Sequence, residues 1–257
     1  MRKILCFIAV LLPCACTVKE DRSVCPCELV VRCEESLKTE GSVLVSVIQD
    51  DAVVKQGMMS REDFEAGRCV MSVPRKPSLV TVFTGITDMN AIDGRWLDIA
   101  FEHQCDELYS CAEYVDLNGE SYECIVGPHK NFARLFLTVI GMPAGAEASV
   151  TGPVQGYNLM DQSPVPGTFS CSPFIGKEGD EDCVRLPRQI DNALALNIMQ
   201  KGKPSIKIDI GRMIESAGYR YDDPDLLDIA LTVDLSKSSV WVMVADWDME
   251  SFSFLEY

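Results

Sequence analysis

Apolar side chains recur at every second position in short segments spread along the whole sequence. One segment places Val43, Val45 and Val47 on the same side of an extended chain. Because successive side chains of a β-strand point to opposite faces, this spacing predicts strands with one buried face. The same alternation is found in the segments 78–86, 133–141, 192–200, 204–211 and 228–235.

These segments predict an all-β protein. Helical periodicity is weak, with a short helix or turn at 211–218 as the clearest candidate. Parallel βαβ units would need ~10–15-residue helices between the strands. Many short strands bounded by Gly, Pro, Asp and Ser instead indicate antiparallel β-sandwiches. The segment 238–247 is apolar through Ala245, as is typical of a strand covered on both faces.

The 257 residues are enough for two domains of ~100–150 residues. We expect an N-terminal sandwich over residues 28–126 and a C-terminal sandwich over residues 127–257. The segment 126–136 is interpreted as the junction that opens the second group of strands. The segment 151–187 is rich in Gly, Pro and Ser, and we interpret it as an exposed excursion.

The N-terminus has the pattern of a secretory signal. Arg2 and Lys3 form a basic start, and the nine residues 4–12 are all apolar. This run is too short for the ~20 residues of a membrane-spanning helix. We therefore expect residues 1–15 to be a signal peptide that targets the chain for export.

A cysteine after a small residue follows the apolar run. Cys16 is preceded by Ala15, whereas Cys14 is preceded by Pro13. This arrangement resembles the lipobox of bacterial lipoproteins, in which the cysteine is acylated and becomes the mature N-terminus. We predict lipidation of Cys16, with Cys14 as the alternative, and a lipidated tether over residues 16–27.

Charge and cysteine spacing exclude two classes of function. The formal net charge of −16 disfavours nucleic-acid binding, which needs a basic surface. The twelve cysteines lack the two close pairs of a structural zinc site, and only two histidines are present. We predict no metal site and no cofactor.

No catalytic motif is present. The sequence has no phosphate loop, no Gly-x-Ser-x-Gly and no His-Glu-x-x-His. His103 and His129 are interpreted as exposed loop side chains. The acidic cluster Asp222–Asp225 is read as a solvated turn, with calcium binding as the alternative. We therefore predict that the protein is not an enzyme.

Four stretches together resemble one family. The sequence CTVKEDRSVCPCELVV after the signal, the sequence HKNFARLFLTVIG, the sequence LPRQIDNALALNI and the closing DPDLLDIALTVDLSKSSVWVMVADWD follow one another in the order seen in FimB-like fimbrial anchor lipoproteins of Bacteroidetes. The resemblance covers nearly the whole chain after the signal.

This resemblance implies a fold, a location and a role. It implies two tandem transthyretin-like antiparallel β-sandwich domains held at the outer membrane by the lipid on Cys16. It implies that Lys19, Glu20 and Asp21 form an export signal for surface display. It further implies an anchor for type V pili that limits their length. Since open sandwich edges accept added strands, we expect strand addition from the first stalk subunit.

Two other functions remain open at this stage. A stalk or tip pilin of the same superfamily would be processed at an arginine, and Arg22 and Arg32 are available. A surface lipoprotein that binds a glycan or a metal ion is the third possibility.

Overall fold

The predicted strands are confirmed, and the protein is all-β. The computed structural model describes residues 25–87, 90–173, 181–245 and 252–256. Within them, the alternating segments form strands whose apolar faces are buried against a second sheet. The segment 204–211 is the exception, because only Ile206–Ile208 is a strand, Ile206 is exposed and Ile210 begins a helix. The strands form four sheets that pack as two β-sandwiches.

The first sandwich pairs a sheet of three strands with a sheet of five. The three-stranded sheet has the order β4 (Val70–Pro74), β1 (Pro26–Cys33), β9 (Ser121–Val126). The five-stranded sheet has the order β10 (His129–Lys130), β8 (Tyr109–Asp116), β5 (Pro77–Ile86), β2 (Ser42–Gln49), β3 (Ala52–Ser60).

The second sandwich is built in the same way from two larger sheets. One has the order β14 (Glu181–Pro187), β11 (Phe132–Ile140), β17 (Asp228–Asp234), β18 (Ser239–Ala245), β19 (Phe252–Glu256). The other has the order β16 (Ile206–Ile208), β15 (Ala195–Gln200), β12 (Ala146–Asn158), β7 (Trp96–Ile99), β6 (Asn90–Asp93), and β13 (Pro164–Cys171) also pairs with β12.

Among the described strands, pairing is antiparallel except in two places. In each sandwich one early strand has a parallel neighbour: β1 pairs in parallel with β9, and β11 pairs in parallel with β17. Two short helices, α1 (Arg61–Glu65) and α2 (Ile210–Ser216), lie between strands. Both are far too short to span a bilayer, and the described residues contain no longer helix.

A hairpin from the first half of the sequence completes a sheet of the second. Strand β7 lies beside β12, with Leu97 opposite Tyr157. Gly156 makes this approach possible, since a Cβ at that position would lie 2.1 Å from the carbonyl oxygen of Leu97. Leu97 is fully buried in the core of the second sandwich.

The interpretation of 151–187 as an exposed excursion was wrong. Its described residues belong to β12, β13 and β14, and Tyr157, Phe169 and Val184 are buried. Glycine and proline do not interrupt the strands here because the β12–β13 ladder shifts register twice, between Gly152 and Gly156. Such bulges accommodate both residue types. Residues 174–180 lie outside the described part.

Candidate functional site

The predicted modification and export residues precede the described chain. Cys16, Lys19, Glu20 and Asp21 all lie outside the described residues, which begin at Cys25. Lipidation and surface export therefore stay predictions. The structure shows which strands of the described sheets have an unpaired edge.

The chain enters the first sandwich in the middle of a sheet. Strand β1 begins at Pro26 and has neighbours on both sides, β4 and β9. Its residues Leu29 and Val31 are fully buried. Near the end of the strand, Arg32 Nε lies 2.6 Å from Glu123 Oε1 of β9. The predicted tether would thus continue directly into β1, which is hydrogen-bonded to β4 on one side and to β9 on the other.

Strand β3 is the longest edge strand among those described. It pairs with β2 along its whole length except at Val54, and no described strand pairs with its other side. The opposite sheet has only three strands, so neither face of β3 is fully covered. Three of its apolar side chains are consequently exposed, Val53 and Val54 partly and Met58 to 59%, whereas Met59 packs against the core.

The two halves of β3 differ in how well they could accept a further strand. The pairing with β2 shifts register at Val54, next to Lys55, and a bulge beside a lysine is a common protection of an edge. The second half, Gln56–Ser60, pairs regularly and carries no charge. This half of the edge strand presents unpaired backbone groups beside the exposed Met58.

The other edges of the described sheets are less suited to strand addition. Strand β13 has eight residues, but Pro164 and Pro166 have no N–H to donate. Strand β14 is partly capped, because the amide of Arg185 donates to the side chain of Gln104. Strand β9 has six residues and places Glu123 on its outer face. Strands β4, β6, β10, β16 and β19 have five residues or fewer.

The residues considered for catalysis or metal binding have structural contacts instead. His129 is exposed and lies 3.0 Å from Asp225 Oδ2. Partial burial alone would raise the pKa of Asp225, but hydrogen bonds from the Lys130 amide and His129 outweigh it and lower the pKa. The carboxylate therefore fastens the turn at 222–225 to β10. In the described part of the chain, no three His, Cys, Asp or Glu side chains are grouped so as to hold a metal ion.

Two comparisons of the sequence give no match. No family model matches the chain, and no curated protein matches it. The relationship therefore has to be judged from three-dimensional structure.

Solved structures from Bacteroidetes share the fold. The fimbrial anchor protein Mfa2 from Porphyromonas gingivalis superposes with a TM-score of 0.62 at 13% identity, over 87% of this chain and 98% of that one. The two chains share one fold. A candidate polysaccharide-binding protein from Bacteroides thetaiotaomicron gives 0.64 at 12% identity, over 86% and 96% of the chains. A candidate adhesin from Bacteroides ovatus gives 0.60 at 14% identity, over 90% and 95%.

These comparisons support the broader resemblance seen in the sequence. They place the fold among Bacteroidetes fimbrial and adhesin proteins, and they do not single out FimB-like anchors. The compared proteins are described as adhesins and fimbrial components rather than enzymes, which is consistent with the absence of a catalytic motif in the sequence.

Proposed function

We propose that the protein is a fimbrial anchor lipoprotein of the outer membrane, exposed at the cell surface. The observation that carries this proposal is the match of nearly the whole chain to the fold of a fimbrial anchor, combined with the lipobox-like Cys16. In this role the lipid holds the N-terminus at the membrane, and Lys19, Glu20 and Asp21 direct the protein to the surface. The two sandwiches hold the first stalk subunit and help set fimbrial length.

Strand addition to β3 is the contact that we propose for the stalk subunit. The regular half Gln56–Ser60 offers unpaired backbone groups, and an added strand would satisfy them while covering Met58. Main-chain hydrogen bonds supply affinity in this mode of recognition, and side chains at alternate positions supply specificity. The partner strand should therefore be extended and mainly apolar where it meets Met58.

A charge on β3 tests this contact in cells. In the Met58→Lys variant, the ammonium group would be buried by an added strand, so we expect fewer fimbriae on the cells and more in the medium. Met199→Lys is a matched control, because Met199 is also exposed but lies on β15, which has strands on both sides. Immunoblots of washed cells and culture supernatant measure the distribution. Equal retention in both variants would reject β3 as the contact.

Lipidation and export are tested by separate variants. Cys16→Ala should abolish incorporation of radiolabelled palmitate and release the protein from the membrane; label that persists would assign the site to Cys14. Replacing Lys19, Glu20 and Asp21 by alanine should leave palmitate incorporation intact. The variant protein should, however, resist protease added to whole cells, because it would stay on the periplasmic side of the outer membrane.

A stalk or tip pilin is the second candidate function. Cleavage after Arg32 would remove all of β1 except Cys33 and leave a strand-wide gap between β4 and β9, ready to accept a strand from another subunit. Mass spectrometry of the mature N-terminus separates the two functions. An acylated Cys16 supports the anchor, and a start at Ser23 or Cys33 supports the pilin.

A further inference from the structure

A cleft separates the five-stranded sheet of the first sandwich from a loop of the second. It encloses about 750 Å³, within the ~300–1,000 Å³ typical of ligand pockets. The loop is fixed from both sides: the amide of Leu159 donates to the carbonyl of Arg95 at 2.8 Å, and its carbonyl accepts from Thr81 Oγ1 at 2.8 Å. The bond from Thr81 joins the loop to the first sandwich, and the bond to Arg95 joins it to the β6–β7 hairpin of the second, so the walls of the cleft are held in place.

An exposed aromatic ring stands at one end of an apolar floor. Ile48, Leu79 and Tyr114 are direct neighbours across β2, β5 and β8, and so form one row on the outer face of the sheet. Tyr114 is 86% exposed, although Leu79 lies beside it on β5. Met160 of the loop lines the same cleft. An aromatic face left open above an apolar row favours a ligand that has an apolar face of its own.

The rim carries hydrogen-bond acceptors. The carboxylates of Asp50, Asp51, Asp116 and Asp161 line the cleft. Three of these four already accept a bond: Asp50 from Lys76, Asp116 from Asn118 and Asp161 from Ser163. Each carboxylate retains further lone pairs for a neutral donor.

The rim also carries hydrogen-bond donors. The guanidinium of Arg95 is held over the ring of Trp96, with 4.7 Å from Cζ to the ring centroid. Within the described part of the chain it makes no ion pair, so its N–H groups are available to the cleft. The side chain of Asn158, which accepts a bond from the Met160 amide through its oxygen, adds an amide donor.

We propose that this cleft binds a neutral oligosaccharide. A pyranose ring has a C–H face that can stack on Tyr114, and its hydroxyl groups both donate and accept, as the mixed rim requires. The excess of carboxylates disfavours an anionic glycan. A basic peptide fits less well, because most of the carboxylates have donors already and the unpaired Arg95 repels a cation. This binding is independent of the anchor function and of β3.

Calorimetric titration of the full mature protein tests the proposal. The neutral probes are maltohexaose, cellohexaose, xylohexaose, mannohexaose and laminarihexaose. Polygalacturonate and hexalysine are the charged alternatives. We expect at least one neutral hexasaccharide to bind with a Kd below about 1 mM, which is about −4 kcal/mol. Affinity should change less than about twofold between 50 and 500 mM NaCl, because screening does not act on an uncharged ligand.

Variants locate the site. Tyr114→Ala and Arg95→Gln should each weaken binding at least about tenfold, which corresponds to 1.4 kcal/mol, whereas Tyr114→Phe should retain it because the ring remains. Tyr122→Ala is the matched control, since Tyr122 is an exposed tyrosine on β9, away from the cleft. The proposal is overturned if no neutral hexasaccharide binds, if hexalysine or polygalacturonate binds more tightly, or if Tyr114→Ala binds as well as the parent. The amount of fimbriae retained on cells of the Tyr114→Ala strain measures the anchor function separately from glycan binding.

Discussion

At the scale of single residues, Arg188 connects the junction with the second sandwich. Its guanidinium donates to Asn131 Oδ1 and to the carbonyls of Tyr221, Asp223 and Pro224, at 2.5 to 2.9 Å. Its backbone amide also donates to the hydroxyl of Tyr157. One side chain thus satisfies several carbonyl groups of the turn at 221–224, which would otherwise need other donors.

Removal of this guanidinium should lower the free energy of unfolding. Arg188→Met keeps much of the aliphatic stem but leaves the carbonyls without donors, so we expect the free energy of unfolding to fall by about 2–4 kcal/mol. Urea denaturation measures the change. Arg212→Met is the control, because Arg212 is exposed and, within the described residues, forms an ion pair only with Asp209, one helical turn away; its cost should stay below about 0.5 kcal/mol. Equal costs would show that the hydrogen bonds of Arg188 add nothing to stability.

Buried thiols make stability depend on pH. Burial raises the pKa of Cys69 and of Cys124 to about 11, from 9.0 for a free thiol. Between these values the unfolded chain loses the thiol protons while the folded chain keeps them. Stability from this source is therefore fully present below pH 9 and is lost as the pH rises toward 11.

The pH effect can be measured with a reductant present. The free energy of unfolding should be lower at pH 10 than at pH 8. In the Cys69→Ala/Cys124→Ala variant this decrease should be smaller, because two groups that ionise preferentially in the unfolded chain are absent. An identical decrease in the parent and the variant would assign the pH dependence to other groups.

At the scale of elements, the β6–β7 hairpin depends on anchoring at both ends. At its entry, the buried carboxylate of Asp106 accepts hydrogen bonds from the amide and hydroxyl of Thr87 and from the side chain of Asn90. At its far side, β7 pairs closely with β12 at Gly156. The hairpin is therefore a strand pair supplied by one half of the sequence to the sheet of the other.

A methyl group at Gly156 should weaken this docking. Because the added Cβ would meet the carbonyl of Leu97 at 2.1 Å, Gly156→Ala must displace β7. We expect a loss of about 1–3 kcal/mol in the free energy of unfolding. Gly127→Ala is the control, since an added Cβ there meets no atom within 4 Å. Hydrogen exchange should show faster exchange of the β7 amides in the first variant only; unchanged exchange would contradict the docking argument.

At the scale of the whole molecule, one core joins the two sandwiches. Leu44 and Phe83 point away from the core of the first sandwich and are buried with residues of the second. The rings of Phe83 and Tyr157 lie 6.3 Å apart. Such continuous apolar packing couples the unfolding of the two parts, because separating them would expose fully buried side chains.

We therefore expect the mature protein to unfold in a single transition. The calorimetric enthalpy should equal the van't Hoff enthalpy, as in two-state unfolding. Two resolved transitions would show that the shared core contributes little to cooperativity. A fragment that begins at Phe132 lacks the hairpin and should bind a hydrophobic dye, since Leu97 no longer covers the second core.

The sequence predicted the strands better than it predicted the site. Alternation at Leu135, Leu137 and Val139 depends only on local spacing, so β11 was predicted correctly. The edge character of β3 was not predicted, because its exposure depends on the smaller width of the opposite sheet. A signal was nevertheless present, since the apolar residues of the segment 52–60 stand in adjacent positions rather than in strict alternation.

The alternation of apolar residues by itself determined that this chain forms half-buried strands, because the apolar side chains on one face of a strand are buried together. The predictions of a signal peptide and of lipidation at Cys16 likewise come from the sequence alone. Only the tertiary structure decided which edges stay unpaired and that Tyr114, Arg95 and Asp161 line one cleft. These residues lie up to 66 positions apart, and their meeting depends on the pairing of β7 with β12 and on the loop beside it. Long-range pairing of this kind is set by the packing of the whole molecule and leaves no local pattern.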